Sequence, residues 1–163
     1  MENASPSRLL IVWHSRTGAS EAMARAAAEG AGDALLLHAD AVSGEALLAA
    51  GGYLFVCPEN LASMSGLMKE MFDRTYYAVL GQIEGRPYAT IIAAGSDGEG
   101  AQRQIDRIAT GWRLKRVADP MIAGFAAQTP DAIAAPKVVP DKFLKQCREL
   151  GEALGEGLRL GIY

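Results

Sequence analysis

The 163-residue sequence predicts an α/β fold, a three-layer α-β-α sandwich around a five-stranded parallel sheet of order 2-1-3-4-5, with residues 1–163 forming a single domain. Two observations carry this expectation. Five short apolar runs alternate with stretches of helix-forming composition, the pattern of parallel strands joined by helical crossovers. The runs are apolar throughout, as strands covered on both faces are, and do not alternate with polar residues. Right-handed crossovers leave few arrangements of five such units. The order 2-1-3-4-5 opens a ligand crevice beyond the carboxyl ends of the first, third and fourth strands.

Residues 1–7, MENASPS, read as a polar lead-in to the first strand, RLLIVW at 8–13. SEAMARAAAEGA, 20–31, is rich in alanine, the best helix former, with Ser20 as its N-cap and Glu21 in the first turn, where negative charge suits the helix dipole. ALLLH, 34–38, is the second strand, and Asp40 and Ser43 introduce a short helix around 43–50. GYLFVC, 52–57, is the third strand, followed by a loop, PENLASMS, and a helix over 66–79. PYATIIAAG, 87–95, is the fourth strand, and SDGEG opens a helix near 101–112. The fifth strand centres on Val117–Ile122. Prolines at 130, 136 and 140 mark an irregular connection over 125–140, readable as a subunit contact, a substrate cover or a run pinned to the core. The last helix, 141–160, brings Phe143, Leu144, Cys147, Leu150, Leu154 and Leu158 near helical spacing.

Composition removes several function classes. Half the residues are hydrophobic and 21% are charged, which is globular and not disordered. A net charge of −3 offers no electrostatic case for nucleic acid or an anionic membrane. No apolar run approaches a membrane span, and no secretory signal opens the chain. Cys57 and Cys147 form no metal or redox pair, so they read as buried free thiols of a cytoplasmic protein. His14 and His38 belong to no metal or nucleophile pattern and read as structural; Trp13 and Trp112 read as packing residues. No G-x-S-x-G elbow is present. Lys69 and Asp73 stand at i, i+4, the spacing of a surface ion pair.

The topology directs attention to three loops, 14–20, 57–66 and 95–101. The first, Ser15-Arg16-Thr17-Gly18-Ala19-Ser20, places hydroxyls and a glycine where a helix start leaves N–H groups unpaired. It suits a terminal phosphate held mainly by neutral donors, with Arg16 either pairing with that phosphate or, the favoured reading, facing outward; by residues alone it suits a well-capped turn equally. There is no G-K-[ST] and no G-x-G-x-x-G, so neither a Walker-type nor a dinucleotide fingerprint is present.

Ser15 to Ser20 fits [ST]-x-T-G-x-[ST], and in this it resembles the phosphate loop of flavodoxins. CPENLASMSGLMKEMFDR, 57–74, is similar to the P-x-x-x-x-x-x-S-G-x-x-K-x-x-x-D-R segment of flavodoxin-like NAD(P)H-dependent oxidoreductases and quinone reductases, through Pro58, Ser65, Gly66, Lys69, Asp73 and Arg74. AAGSDGEGAQ resembles the small-residue loop after the fourth strand. The resemblance implies FMN, with its phosphate on residues 15–20 and its ring between the 58–65 and 95–100 loops. Pro58, Leu61, Ala62 and Met64 would supply apolar surface, and backbone groups of Glu59, Asn60 and Leu61 would meet the ring's polar edge. Gly95, Gly98 and Gly100 would let the ring approach the backbone beside Ser96, with Asp97 solvated. The implied activity is two-electron reduction of a quinone or other small acceptor by NAD(P)H, with no residue acting as acid or base. Two alternatives stand beside it: a flavodoxin-type one-electron carrier between protein partners, and a non-redox module that binds a phosphate ligand. No glycine lies between Pro58 and Gly66 to ease a backbone flip on one-electron reduction, which disfavours the carrier. The 58–65 loop lacks an aromatic residue to cover the ring, leaving that role to Asn60, Leu61, or Tyr76 or Tyr77 of a partner subunit in a homodimer.

Overall fold

The computed structural model describes residues 8–163; the polar lead-in expected at 1–7 lies outside them. A parallel sheet runs through the middle. Its strands are β1 (Leu9–Trp13), β2 (Ala34–His38), β3 (Gly52–Asn60), β5 (Pro87–Ala94), β6 (Lys115–Arg116) and β7 (Met121–Gly124), with β4 (Ser63–Met64) as a short antiparallel return from β3. The order is β2-β1-β3-β5-β6, with β7 also paired to β5. Counting long strands alone, this is the expected 2-1-3-4-5 path.

Residue alternation along the strands builds two cores. Leu9 and Ile11, Leu54 and Val56, and Ala89, Ile91 and Ala93 face α1 (Ala19–Ala31) and α6 (Asp141–Leu160). Leu10 and Val12, Tyr53, Phe55 and Cys57, and Tyr88 and Ile92 face α2 (Gly44–Ala49), α3 (Gly66–Val79) and α4 (Glu99–Gly111). Both strand faces are therefore dry, which accounts for the unbroken apolar runs. Helices α1 and α6 meet backbone to backbone: a Cβ on Gly30 would collide with the Arg148 carbonyl, and one on Gly151 with the Ala27 carbonyl. The alanines of α1 serve this close approach as well as helix propensity.

Four expectations need correction. The fifth strand is two pieces, β6 and β7, because Pro120 has no N–H for the ladder and the chain leaves the sheet between Val117 and Pro120. The stretch after Cys57 is not a plain loop: β3 continues to Asn60 and folds back through a two-residue turn at Leu61 and Ala62, with φ of 53° and 62°. Left-handed pairs of this kind usually announce themselves with Asn-Gly or Asp-Gly, and this one carries neither. The 125–140 connection contains a short helix, α5 (Pro130–Ala134), capped by Thr129 Oγ1, which accepts from Ala132 N–H at 3.2 Å. Finally, Ser20 is not an N-cap. Gly18 takes φ 101° and holds that position, so α1 starts at Ala19.

Both ends of α2 are closed by side chains, one local and one distant. Ser43 caps α2, accepting from Ala46 N–H at 3.1 Å, and Arg86 donates to the carbonyls of Leu48 and Ala50, both at 2.7 Å, at its other end. Lys69 and Asp73 form the expected ion pair, and Arg74 donates to Ala39 O at 3.0 Å, tying α3 to the turn before α2. Trp112 is buried against Phe72. Cys57 and Cys147 are buried and free, and burial pushes both thiols up to about 12. No helix among the described residues is long and apolar enough to cross a membrane.

Candidate functional site

The loops after β1, β3 and β5, together with the chain after β7, enclose a cavity of about 740 Å³, a size typical of small-molecule sites. The walls come from four places: Ser15, Arg16, Thr17, Ala19 and Ser20; Pro58 to Ala62; Ala93 to Ser96; and Phe125, Ala127, Ile133, Ala134 and Lys137.

At the first wall the chain leaves β1 through His14, whose N–H donates to Val56 O at 3.1 Å. Ser15 Oγ accepts from Gly18 N–H at 3.0 Å and closes the turn. Gly18 has no side chain to cap α1, so the first-turn N–H groups lack both intrahelical acceptors and a cap. Ser20 lies inside that turn and is 1% exposed. Its Oγ is the one buried side-chain polar atom among the described residues without a hydrogen-bond partner. An orphan of this kind costs about 1–3 kcal/mol. It lines the cavity beside a helix start, where a partial positive charge favours an anion.

The second wall is the β3–β4 hairpin, held against α4 at three points. Glu59 accepts from Gly98 N–H at 2.9 Å and Ala101 N–H at 3.0 Å, so its carboxylate caps a helix that has no cap of its own. Gln104 Oε1 accepts from Met64 N–H at 2.8 Å and from the Ser63 hydroxyl at 3.0 Å. Gly100 has no Cβ where one would strike the Ala62 carbonyl. Pro58, Glu59, Asn60, Leu61 and Ala62 all line the cavity, with Leu61 fully exposed at the tip. Met64, expected to offer apolar surface there, is instead buried in the core.

The third wall divides the expected residues. Gly95 and Ser96 line the cavity; Asp97, Gly98 and Gly100 do not. Gly98 is the N-cap of α4 at φ 94°, and a Cβ there would meet the Ile122 side chain. The glycines at 98 and 100 therefore serve protein packing in this structure. Gly95 permits the approach of Ala127, whose carbonyl would stand 3.1 Å from a Cβ.

The fourth wall was not legible as such. Phe125 N–H donates to Ala94 O at 2.8 Å, Ala127 N–H to Gly95 O at 3.0 Å, and Lys137 N–H to Thr17 O at 2.8 Å. The segment is thus a strap from the β5 loop across to the first loop. Its signal was the run of prolines, which shows stiffness but not direction.

Next to the site, His14 is buried, with Nδ1 2.8 Å from Ser65 Oγ. Burial, with help from His38 and Arg16, holds its imidazole below the usual 6.5. His38 pairs with Asp40 at 2.6 Å and packs edge-on against Trp13. Both histidines have the structural roles expected of them. No cluster among the described residues could hold a metal ion. The cavity offers hydroxyl and N–H donors at one end, with Arg16 and Lys137 also on its lining, and largely apolar walls elsewhere, which equips it to bind a flat molecule with an anionic end.

Residues 26–120, more than half of the chain, match the family model of NADPH-dependent FMN reductase. The matched span holds the second and third walls; the first loop precedes it. A flavodoxin from Aquifex aeolicus (strain VF5) is 28% identical over 166 residues, covering 95% of this chain and 89% of its own length. A flavodoxin from the domain Archaea superimposes with a TM-score of 0.77 at 20% identity, over 93% of this chain and 99% of that one. A flavodoxin, WrbA-like protein from Agrobacterium tumefaciens superimposes with 0.74 at 20% identity, over 94% and 98%. At such identities the two structures bear on the fold, which is flavodoxin-like.

Proposed function

The chain belongs to the NADPH-dependent FMN reductase family, and on that premise we propose that it binds FMN in the cavity and reduces a quinone or other small acceptor at the expense of NAD(P)H. One observation carries the reading: the buried, unpartnered Ser20 hydroxyl at the open start of α1. A phosphate oxygen is the acceptor that would satisfy it, and the first-turn N–H groups would add donors. The uncharged character of these donors fits a phosphomonoester and not a nucleoside triphosphate, for which a lysine of the Walker type is expected.

When bound, FMN supplies hydride acceptance and electron delivery. The chain's own residues bind and orient it. Thr17 and Ser20 would donate hydrogen bonds from their hydroxyls to the phosphate. Pro58, Leu61, Ala62, Ala93 and Ala94 give apolar surface for the ring, while the backbone of Glu59 to Leu61 offers polar groups at its edge. Because the Glu59 carboxylate is committed to α4, the hairpin needs no ordering when the ligand arrives. Phe125 and Ile133 add apolar surface on the strap side.

The rival reading is a one-electron carrier, supported by the name of the Aquifex relative. The hairpin weighs against it, since its turn is already left-handed at two non-glycine residues and is pinned to α4. The test is an absorbance spectrum of the purified protein after incubation with FMN and gel filtration, followed by NAD(P)H oxidation with a soluble quinone. Retained flavin and partner-independent oxidation are expected. Retained flavin with oxidation only in the presence of a partner reductase would favour the carrier. A colourless protein would leave the module that binds a phosphate ligand without redox chemistry.

A further inference from the structure

The strap brings a second cation to the cavity, after Arg16, at the end where the Thr17 and Ser20 hydroxyls stand. Lys137 lines the cavity, and its backbone N–H is latched to Thr17 O at 2.8 Å, inside the same loop that opens α1. Its ammonium donates to Ile133 O at 3.0 Å and Ala135 O at 2.7 Å, which are the trailing carbonyls of α5. Two of its three N–H donors are thereby used, and the side chain is held by the strap instead of trailing in solvent. The latch is made by the main chain, so any residue but proline could form it. The latch itself therefore does not require a lysine, whose ammonium serves only the short end of α5 within the strap. The unsatisfied Ser20 Oγ on the facing loop independently points to an anion arriving there.

We propose that Lys137 is a phosphate-binding residue of this cavity, its third N–H and its positive charge neutralising a phosphomonoester held at Thr17 and Ser20. This rests on the reading that FMN is the ligand and adds to it that the dianion is met by a cation from the strap as well as by neutral donors. Charge-assisted hydrogen bonds are about twice as strong as neutral ones, so the contribution is specific to the phosphate and absent for the same flavin without it.

The test compares FMN with riboflavin, by quenching of flavin fluorescence on titration with the full-length protein. Lys137→Gln should weaken FMN by about tenfold, as expected for loss of one hydrogen bond to a charged group, and riboflavin by less than about twofold. Lys137→Arg, which keeps the charge, should restore most of the FMN affinity. The backbone latch is intact in both variants, so both should fold as the parent does. Equal weakening of the two flavins by Lys137→Gln would mean that the strap's packing was disturbed, and would overturn the proposal. So would unchanged FMN affinity. If the parent protein binds neither flavin, the FMN reading falls and this one with it; FMN bound well but indifferent to Lys137 overturns this one alone.

Discussion

Ser20 costs the unliganded protein stability. A buried hydroxyl with no partner has given up its water without compensation, which is worth about 1–3 kcal/mol. Ser20→Ala should therefore raise the stability of the flavin-free protein by about 1 kcal/mol in urea denaturation, while weakening FMN binding. Improved stability without loss of affinity would show that the hydroxyl serves no ligand. Buried polar groups are normally satisfied, and those that are not concentrate where something else completes them. The sequence gives Ser20 two readings, an N-cap and a hydroxyl donor of the first loop; the structure removes the first, since Gly18 holds the cap position, and leaves the hydroxyl free for a ligand.

Helix α4 borrows its cap from another strand. Glu59 closes the α4 amino end from β3, as Arg86 closes the carboxyl end of α2 from the turn before β5. The cap couples the stability of α4 to the position of the hairpin. Glu59→Ala should lower stability by about 1–2 kcal/mol, the usual cost of losing a cap with favourable charge at a helix start. It should also weaken FMN binding, because the hairpin would then have to be ordered by the ligand. A stability loss with affinity unchanged, read by urea melts and flavin titration side by side, would separate the cap from the site. Such partnerships join residues 36 or more positions apart and leave no local spacing to find.

Two groups, buried His14 and half-buried Asp106, make the protein acid-sensitive in separate ranges. His14 is held below its ordinary 6.5 by burial and by nearby His38 and Arg16. The unfolded chain therefore takes up the proton first, so His14 favours the folded state above 6.5 and this is lost as pH falls towards its lower folded value. Asp106 is raised by burial, but hydrogen bonds from Arg116, Gln102 and Tyr88 outweigh that and hold its carboxyl below the usual 3.8. Its contribution is complete above 3.8 and disappears only in stronger acid, as its folded value is crossed. Urea midpoints measured from about pH 8 to pH 5 should fall below pH 6.5 in the parent and flatten in His14→Gln. A midpoint that declines equally in both would remove His14 as the cause. The Asp106 network joins α4, β5 and β6, so its loss should coincide with global unfolding.

The alternation of the main strands and helices, the layered sheet and the three loops at the strand ends were legible in the chain itself, while the β3–β4 hairpin, the break between β6 and β7 and helix α5 were not. The legible features depend on local composition and on periodicity, which a single sequence carries in full. The cavity's fourth wall, the burial of Met64, and the division of the glycines into those that face the cavity and those that face protein were decided only by tertiary structure. Gly95, Gly98 and Gly100 look alike in sequence, yet one admits the strap, one turns a helix and one clears a carbonyl. Which neighbour a residue meets depends on how layers stack and where distant segments cross, and a linear spacing does not encode that.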